Sequence, residues 1–296
     1  MLRDLKLAEK LPFISALFRG MGQIMLQENA WTGLLFLAAI FYSSPLMSAG
    51  AFIAVLSGTI TAKLLKYDKD EIQQGLYGFS AALVGVALLL FYKPSLLVWI
   101  ALIVASAVAT IIQHFFIIKQ IPVFTFPFVL VTWIVLLLFN KVLIVEPSAL
   151  LNEPSIIVSN YFFVFHGYGQ VIFQSSLSVG IIFLIAVFIN SPLAALYGLA
   201  GGVMAGVFSV LLPVSIESIA LGLWSYNAVL CAIVFTGRKF VDILWMTVSV
   251  FLSVIIYFGM YKLNFVPLTF PFVAATVLTI EIKKVTEKRL YFKSNI

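Results

Sequence analysis

Ile121-Pro122-Val123-Phe124-Thr125-Phe126-Pro127-Phe128 ends in four residues that return unchanged as Thr269-Phe270-Pro271-Phe272. Each copy lies inside a long apolar run. Proline lacks a backbone donor and clashes with the preceding helical turn, so both copies are expected to break a helix partway along the run.

Outward from these two points the chain reads as a duplication. At a shift of 147 residues, Gly20-Met21-Gly22-Gln23 falls on Gly167-Tyr168-Gly169-Gln170, and Gln27 falls on Gln174. Gly33 then meets Gly180, Ser44-Pro45 meets Ser191-Pro192, and Gly75-Leu76-Tyr77-Gly78-Phe79 meets Gly222-Leu223-Trp224-Ser225-Tyr226. The shift becomes 144 by the time the Thr-Phe-Pro-Phe copies align.

Each half predicts a short Gly-bearing segment (12–28 and 160–175) followed by five longer apolar ones. These run at 30–44, 45–65, 75–92, 94–118 and 122–140, with partners at 177–190, 191–212, 220–236, 240–261 and 265–281. The domain reading is therefore a first repeat at 1–145, a linker at 146–159, and a second repeat with a basic tail at 160–296.

Composition names the solvent. Of 296 residues, 62% are hydrophobic and 10% charged, well below the charge of a soluble domain. A hydrocarbon layer about 30 Å thick needs roughly 20 apolar residues per crossing, and the chain offers such runs nearly end to end. The fold class expected is all-α integral membrane, with ten transmembrane helices in two five-helix repeats. The short segment of each half is too brief for two crossings, so it is read as a re-entrant helix buried in protein or lining a polar cavity.

An odd number of spans per half inverts the second half relative to the first. The charges agree: Lys63, Lys66 and Lys69 have Val210, Pro213 and Ile216 as counterparts, and Arg238 and Lys239 have Phe91 and Tyr92. With the N-terminus inside, only Lys93, Lys141 and Lys262 lie outside, and apart from Arg19 the other fourteen of eighteen basic residues lie inside. Both termini are then cytoplasmic and the location is the plasma (inner) membrane. Met1–Leu11 mixes basic with acidic residues and precedes no small-residue cleavage site, which argues against a removed signal peptide.

The net charge of +6 sits in loops and tail rather than on an aromatic-interleaved face, so nucleic acid is not an expected partner; membrane lipid is. Cys231 is the lone cysteine, and His114 and His166 are the two histidines, at non-equivalent positions. No catalytic set, metal-ligand spacing or phosphate-cradling loop is visible, so neither enzyme chemistry nor a cofactor or metal is expected. Asp242, Glu217 and Glu281 lie at span edges, and no proton relay follows from them.

What both halves share is neutral and polar or aromatic: Gln23 and Gln170, Phe79 and Tyr226, Ser80 and Asn227, Thr125 and Thr269. Interrupted apolar segments at matching positions point to a transport site. A planar solute rich in N–H donors, such as urea, suits carbonyls at broken helix ends and slots between aromatic rings. Other passive solutes (ammonia, water, small amides) and, from another class, a membrane enzyme or structural subunit are the alternatives.

At these residues the sequence resembles the urea transporter family, whose signature Leu-Pro-x-x-Thr-x-Pro-Phe occurs once per half. The first copy here differs by Ile121 for Leu; in the second, Pro267 stands one place nearer Thr269. The resemblance implies a homotrimer with one pore per subunit between inverted halves, conducting urea down its gradient without ion coupling. It also implies a pore at Thr125, Thr269, Gln23, Gln170, Phe79 and Tyr226, with Leu26, Phe173, Leu83 and Leu230 as apolar walls. Leu26 stands where a phenylalanine is common in the family, and Tyr226 where Phe79 would have its twin.

Overall fold

The computed structural model describes residues 4, 8–148 and 162–294, so the greater part of the 146–159 linker lies outside the described residues. The first half folds as α1 (Pro12–Gln23), α2 (Ala30–Ser43), α3 (Pro45–Leu64), α4 (Lys69–Gln73), α5 (Phe79–Phe91), α6 (Leu96–Ile118) and α7 (Phe126–Leu138). The second follows the same order: α8 (Phe163–Gln170), α9 (Leu177–Asn190), α10 (Pro192–Ser209), α11 (Ile216–Ala220), α12 (Tyr226–Val234), α13 (Phe240–Lys262) and α14 (Phe270–Ser294). Among the described residues there is no strand, only one isolated bridge between Tyr92 and Pro147.

Among the described residues, five helical stretches are long and apolar enough to cross a membrane: Pro45–Leu64, Leu96–Ile118, Phe126–Leu143, Pro192–Ser209 and Phe240–Lys262. Ala30–Ser43, Phe79–Phe91 and Leu177–Asn190 are apolar but shorter. The expected segment at 75–92 is not one helix, because Gly75 turns the chain at φ +80° and α5 starts only at Phe79. Gly222, at φ +74°, does the same before α12.

α6 shows which solvent the surface suits. Ile100, Ile103, Val104, Val108, Ile111 and Phe115 face outward and are all more than 40% exposed. The opposite stripe buries Ser106, Thr110 and Gln113 with Val98 and Leu102. In water this distribution would leave a large apolar patch unpartnered. In lipid it is the favoured one, because polar side chains then meet protein carbonyls instead of hydrocarbon.

The helix starts are chemically explicit. Ser44 and Ser191 cap α3 and α10 by accepting from Met47 N and Ala194 N, each with proline next in sequence. Proline at the first helical position loses no hydrogen bond, since that N–H has no helical partner. Asn29 caps α2 through Thr32 N.

α1 and α2 pack in backbone contact, with Gly33 against the carbonyl of Phe18, and Gly180 meets the carbonyl of Phe165 between α8 and α9 in the same way. The halves meet where Thr32 Oγ1 donates to Ala186 O at 3.0 Å and the Phe36 and Phe183 rings lie 4.7 Å apart. Near the α1–α2 bend, Arg19 is buried with Asp4 at 2.7 Å and also donates to Gln73 O at 3.1 Å. An unpaired charge there would carry a heavy desolvation cost.

Candidate functional site

The two Thr-Phe-Pro-Phe loops fold alike. Phe124 and Leu268 both stand at φ +47°, a left-handed conformation unusual for bulky side chains. Phe126 N then bonds Val123 O at 2.9 Å and Phe270 N bonds Pro267 O at 3.0 Å. These closures use the carbonyls of 123 and 267, so Pro267 costs the second loop no hydrogen bond despite its shifted place. Both loops leave the preceding long helix through a second left-handed residue, Gln120 (φ +54°) or Asn264 (φ +53°).

The geometry delivers two hydroxyls to one point: Thr125 Oγ1 and Thr269 Oγ1 lie 2.6 Å apart, buried, each at the broken start of a helix. Thr125 caps nothing with its side chain, so its hydroxyl is spent on its counterpart rather than on its own helix end.

Beside this pair opens a cavity of about 210 Å³ whose wall includes Gln23, Leu26, Phe79 and Thr125, four of the ten sequence-derived residues. Every residue lining it is neutral. Gln23 is oriented by Nε2 donating to Gln74 O at 3.0 Å, at the open end of α4, which leaves its carbonyl oxygen as an acceptor. Leu26 sits at φ +61° in the turn that ends α1, where Gln27 N returns to Gly22 O at 3.1 Å. Held strain of this kind favours functional positions.

The second half repeats the framework but fills it differently. Gln170 Nε2 donates to Leu221 O at 3.1 Å, and Phe173 takes φ +56°. The Phe173 ring packs 6.5 Å from Phe91 and 6.2 Å from Phe128. Tyr226 and Asn227 both donate to Leu268 O, and Asn227 Oδ1 accepts from Phe272 N at 3.0 Å. In the first half the counterparts are Phe79 and Ser80, and the Ser80 hydroxyl is buried without a partner. Leu83 and Leu230 are fully buried one turn beyond Phe79 and Tyr226 and do not line the cavity.

Asn227 thus ties down the loop that carries Thr269. Asn227→Ala is expected to lower the melting temperature in detergent, by roughly 1–3 kcal/mol of stability, because Phe272 N and Leu268 O each lose a buried partner. An unchanged melting temperature would show that the loop holds itself.

The cavity wall also includes Gln113, Phe124 and Phe272, which were not among the sequence-derived residues. Gln113 carried a signal that went unused: it extends the buried polar stripe of Ser106 and Thr110 along an otherwise apolar span. Phe124 directly precedes the first Thr-Phe-Pro-Phe copy and Phe272 ends the second, but phenylalanine is 28 of the residues here and only folding selects which of them stand beside the threonines. Among the described residues no cluster of His, Cys, Asp or Glu could hold a metal ion.

A family profile described as "Urea transporter" matches residues 14–284. The rat protein named "Urea transporter 1" is 27% identical over 254 residues, covering 80% of this chain and 66% of its own length. The sheep protein of the same name is 26% identical over 261 residues, covering 81% of this chain and 66% of its own. The chain therefore spans just under two thirds of the length of these relatives.

Proposed function

The chain belongs to the urea transporter family, and from that premise we propose that it conducts urea passively across a membrane, without ion coupling. The observation that carries this reading is the neutral cavity whose wall includes Thr125, with the Thr125 hydroxyl 2.6 Å from that of Thr269. Urea offers four N–H donors and one carbonyl in a flat body. Its passage past a dry constriction requires acceptors to replace the water it sheds. The hydroxyls and the Gln23 and Gln170 carbonyl oxygens can serve as those acceptors, while Leu26, Phe79, Phe173 and Tyr226 present flat or apolar walls, with Leu83 and Leu230 behind them.

The wider plan proposed is two inverted repeats, 1–145 and 160–296, joined by a linker at 146–159. Each contributes five spans and a re-entrant helix, α1 or α8. At about 1.5 Å per residue, these two helices are too short to cross the hydrocarbon layer alone. The twofold relation is supported by residues that meet their own counterparts, Phe36 with Phe183 and Thr125 with Thr269. Only a residue close to a symmetry axis can do so. On this reading both termini are cytoplasmic, the membrane is the plasma (inner) membrane, and the assembly is a homotrimer with one pore per subunit.

No ionisable side chain lines the cavity, so there is no titrating group there to couple solute movement to protons. Purified protein in liposomes is expected to accelerate urea efflux with no ion gradient imposed. Efflux that required sodium or protons, or ammonia flux indifferent to urea analogues, would overturn the proposal.

A further inference from the structure

Among the described residues, several buried side-chain polar atoms have no hydrogen-bond partner, and Gln113 is the one of these residues that forms part of the cavity wall. Two side chains on the same inward face of α6 have backbone partners: Ser106 Oγ donates to Ala81 O at 3.4 Å and Thr110 Oγ1 to Tyr77 O at 3.0 Å. Gln113 continues that stripe and is 6% exposed, yet its side-chain oxygen is buried with no hydrogen-bond partner. The residue forms part of the cavity wall with Gln23 and Thr125. A buried amide in this condition is destabilising, and its retention calls for a partner that comes and goes.

The structure assigns that partner as the solute: we propose that Gln113 is a specificity-determining residue that binds a planar amide entering the cavity. The proposal rests on the urea-conduction reading above. Gln23 has one of its two N–H donors committed to Gln74 O, which fixes the orientation of its amide. Gln113, with neither half of its amide bound to protein, offers a carbonyl and an adjacent NH₂ in one plane. That pair complements the N–H and C=O of urea or formamide at two points, a match that ammonia and water lack. The counterpart of Gln113 in the second half is Tyr257, whose ring packs 4.7 Å from Trp224, so the amide has no twin and the solute is recognised from the first half.

Gln113→Leu separates this role from a structural one. Removing an orphaned buried oxygen is expected to leave the melting temperature equal or higher. Urea efflux at low concentration is expected to fall about five- to tenfold, with the half-saturating urea concentration raised, because the two-point contact is lost. A lowered melting temperature would show that the amide is a structural partner and would overturn the proposal, as would unchanged flux and half-saturation. If the wild-type protein conducts urea while the variant is indistinguishable from it, this inference alone fails. If the wild type conducts no urea, the conduction reading fails and takes this inference with it.

Discussion

Replacing both central threonines, Thr125→Val with Thr269→Val, is expected to cut urea efflux from liposomes by roughly 5- to 150-fold while leaving the protein folded. Valine keeps the shape and removes the hydroxyl. Each hydrogen bond is worth about 0.5–1.5 kcal/mol net, so losing two at the proposed constriction raises the barrier by roughly 1–3 kcal/mol. Stability should respond in the opposite order to what residue count suggests. Because the two hydroxyls bond each other at 2.6 Å, the double change removes both partners and is nearly neutral. Either single change strands the other hydroxyl in a buried site and costs about 1–3 kcal/mol. The measurements are stopped-flow urea efflux and melting temperature in detergent for the two singles and the double. Unchanged flux in the double would remove the threonines from the pathway, and a double less stable than either single would refute the paired arrangement.

The second large effect lies away from the pathway, where the backbone of α1 meets α2. A Cβ on Gly33 would stand 1.7 Å from Phe18 O and 2.8 Å from Gly22 N. These are main-chain atoms, so relief requires the two helices to part, and with them the turn that holds Gln23 and Leu26. Overpacking that only side chains must absorb costs about 1–3 kcal/mol, and a backbone clash costs more, against a total stability of about 5–15 kcal/mol. Gly33→Ala is therefore expected to abolish folding and conduction, and so is Gly180→Ala, whose Cβ would lie 1.8 Å from Phe165 O. Gly259→Ala is the matched control: nothing lies within 4 Å of its Cβ, and alanine in the last turn of α13 is expected to be neutral or to stabilise by up to about 1 kcal/mol. Monodisperse elution and melting temperature report the outcome. A Gly33→Ala protein with wild-type stability would mean the helices do not touch there.

Much of this was legible before folding. The paired Thr-Phe-Pro-Phe copies announced two broken helices, and in the structure α7 and α14 begin at Phe126 and Phe270, directly after the threonines. Glutamines 23 and 170 were legible as twins, and each donates to a carbonyl at the end of a short helix. The extents of α5 and α12 were not, because positive-φ glycines 75 and 222 delay both helix starts within runs whose hydrophobicity is continuous. Nor was the unlike filling of the halves, since Tyr226 reads as a conservative partner of Phe79 until its hydroxyl is seen on Leu268 O.

The division has a physical cause. Hydrophobic run length and proline positions act locally and additively, so the sequence by itself determined an all-helical membrane protein with neutral polar residues at its helix breaks. Which of those residues converge depends on helix crossings set by contacts over long separations. The touching of Thr125 and Thr269, the gathering of Gln23, Leu26 and Phe79 at one cavity, and the unbonded amide of Gln113 in its wall arise only when glycine-lined helices pack to backbone contact. Those belong to the tertiary structure, because no local periodicity records which carbonyl a buried side chain will meet.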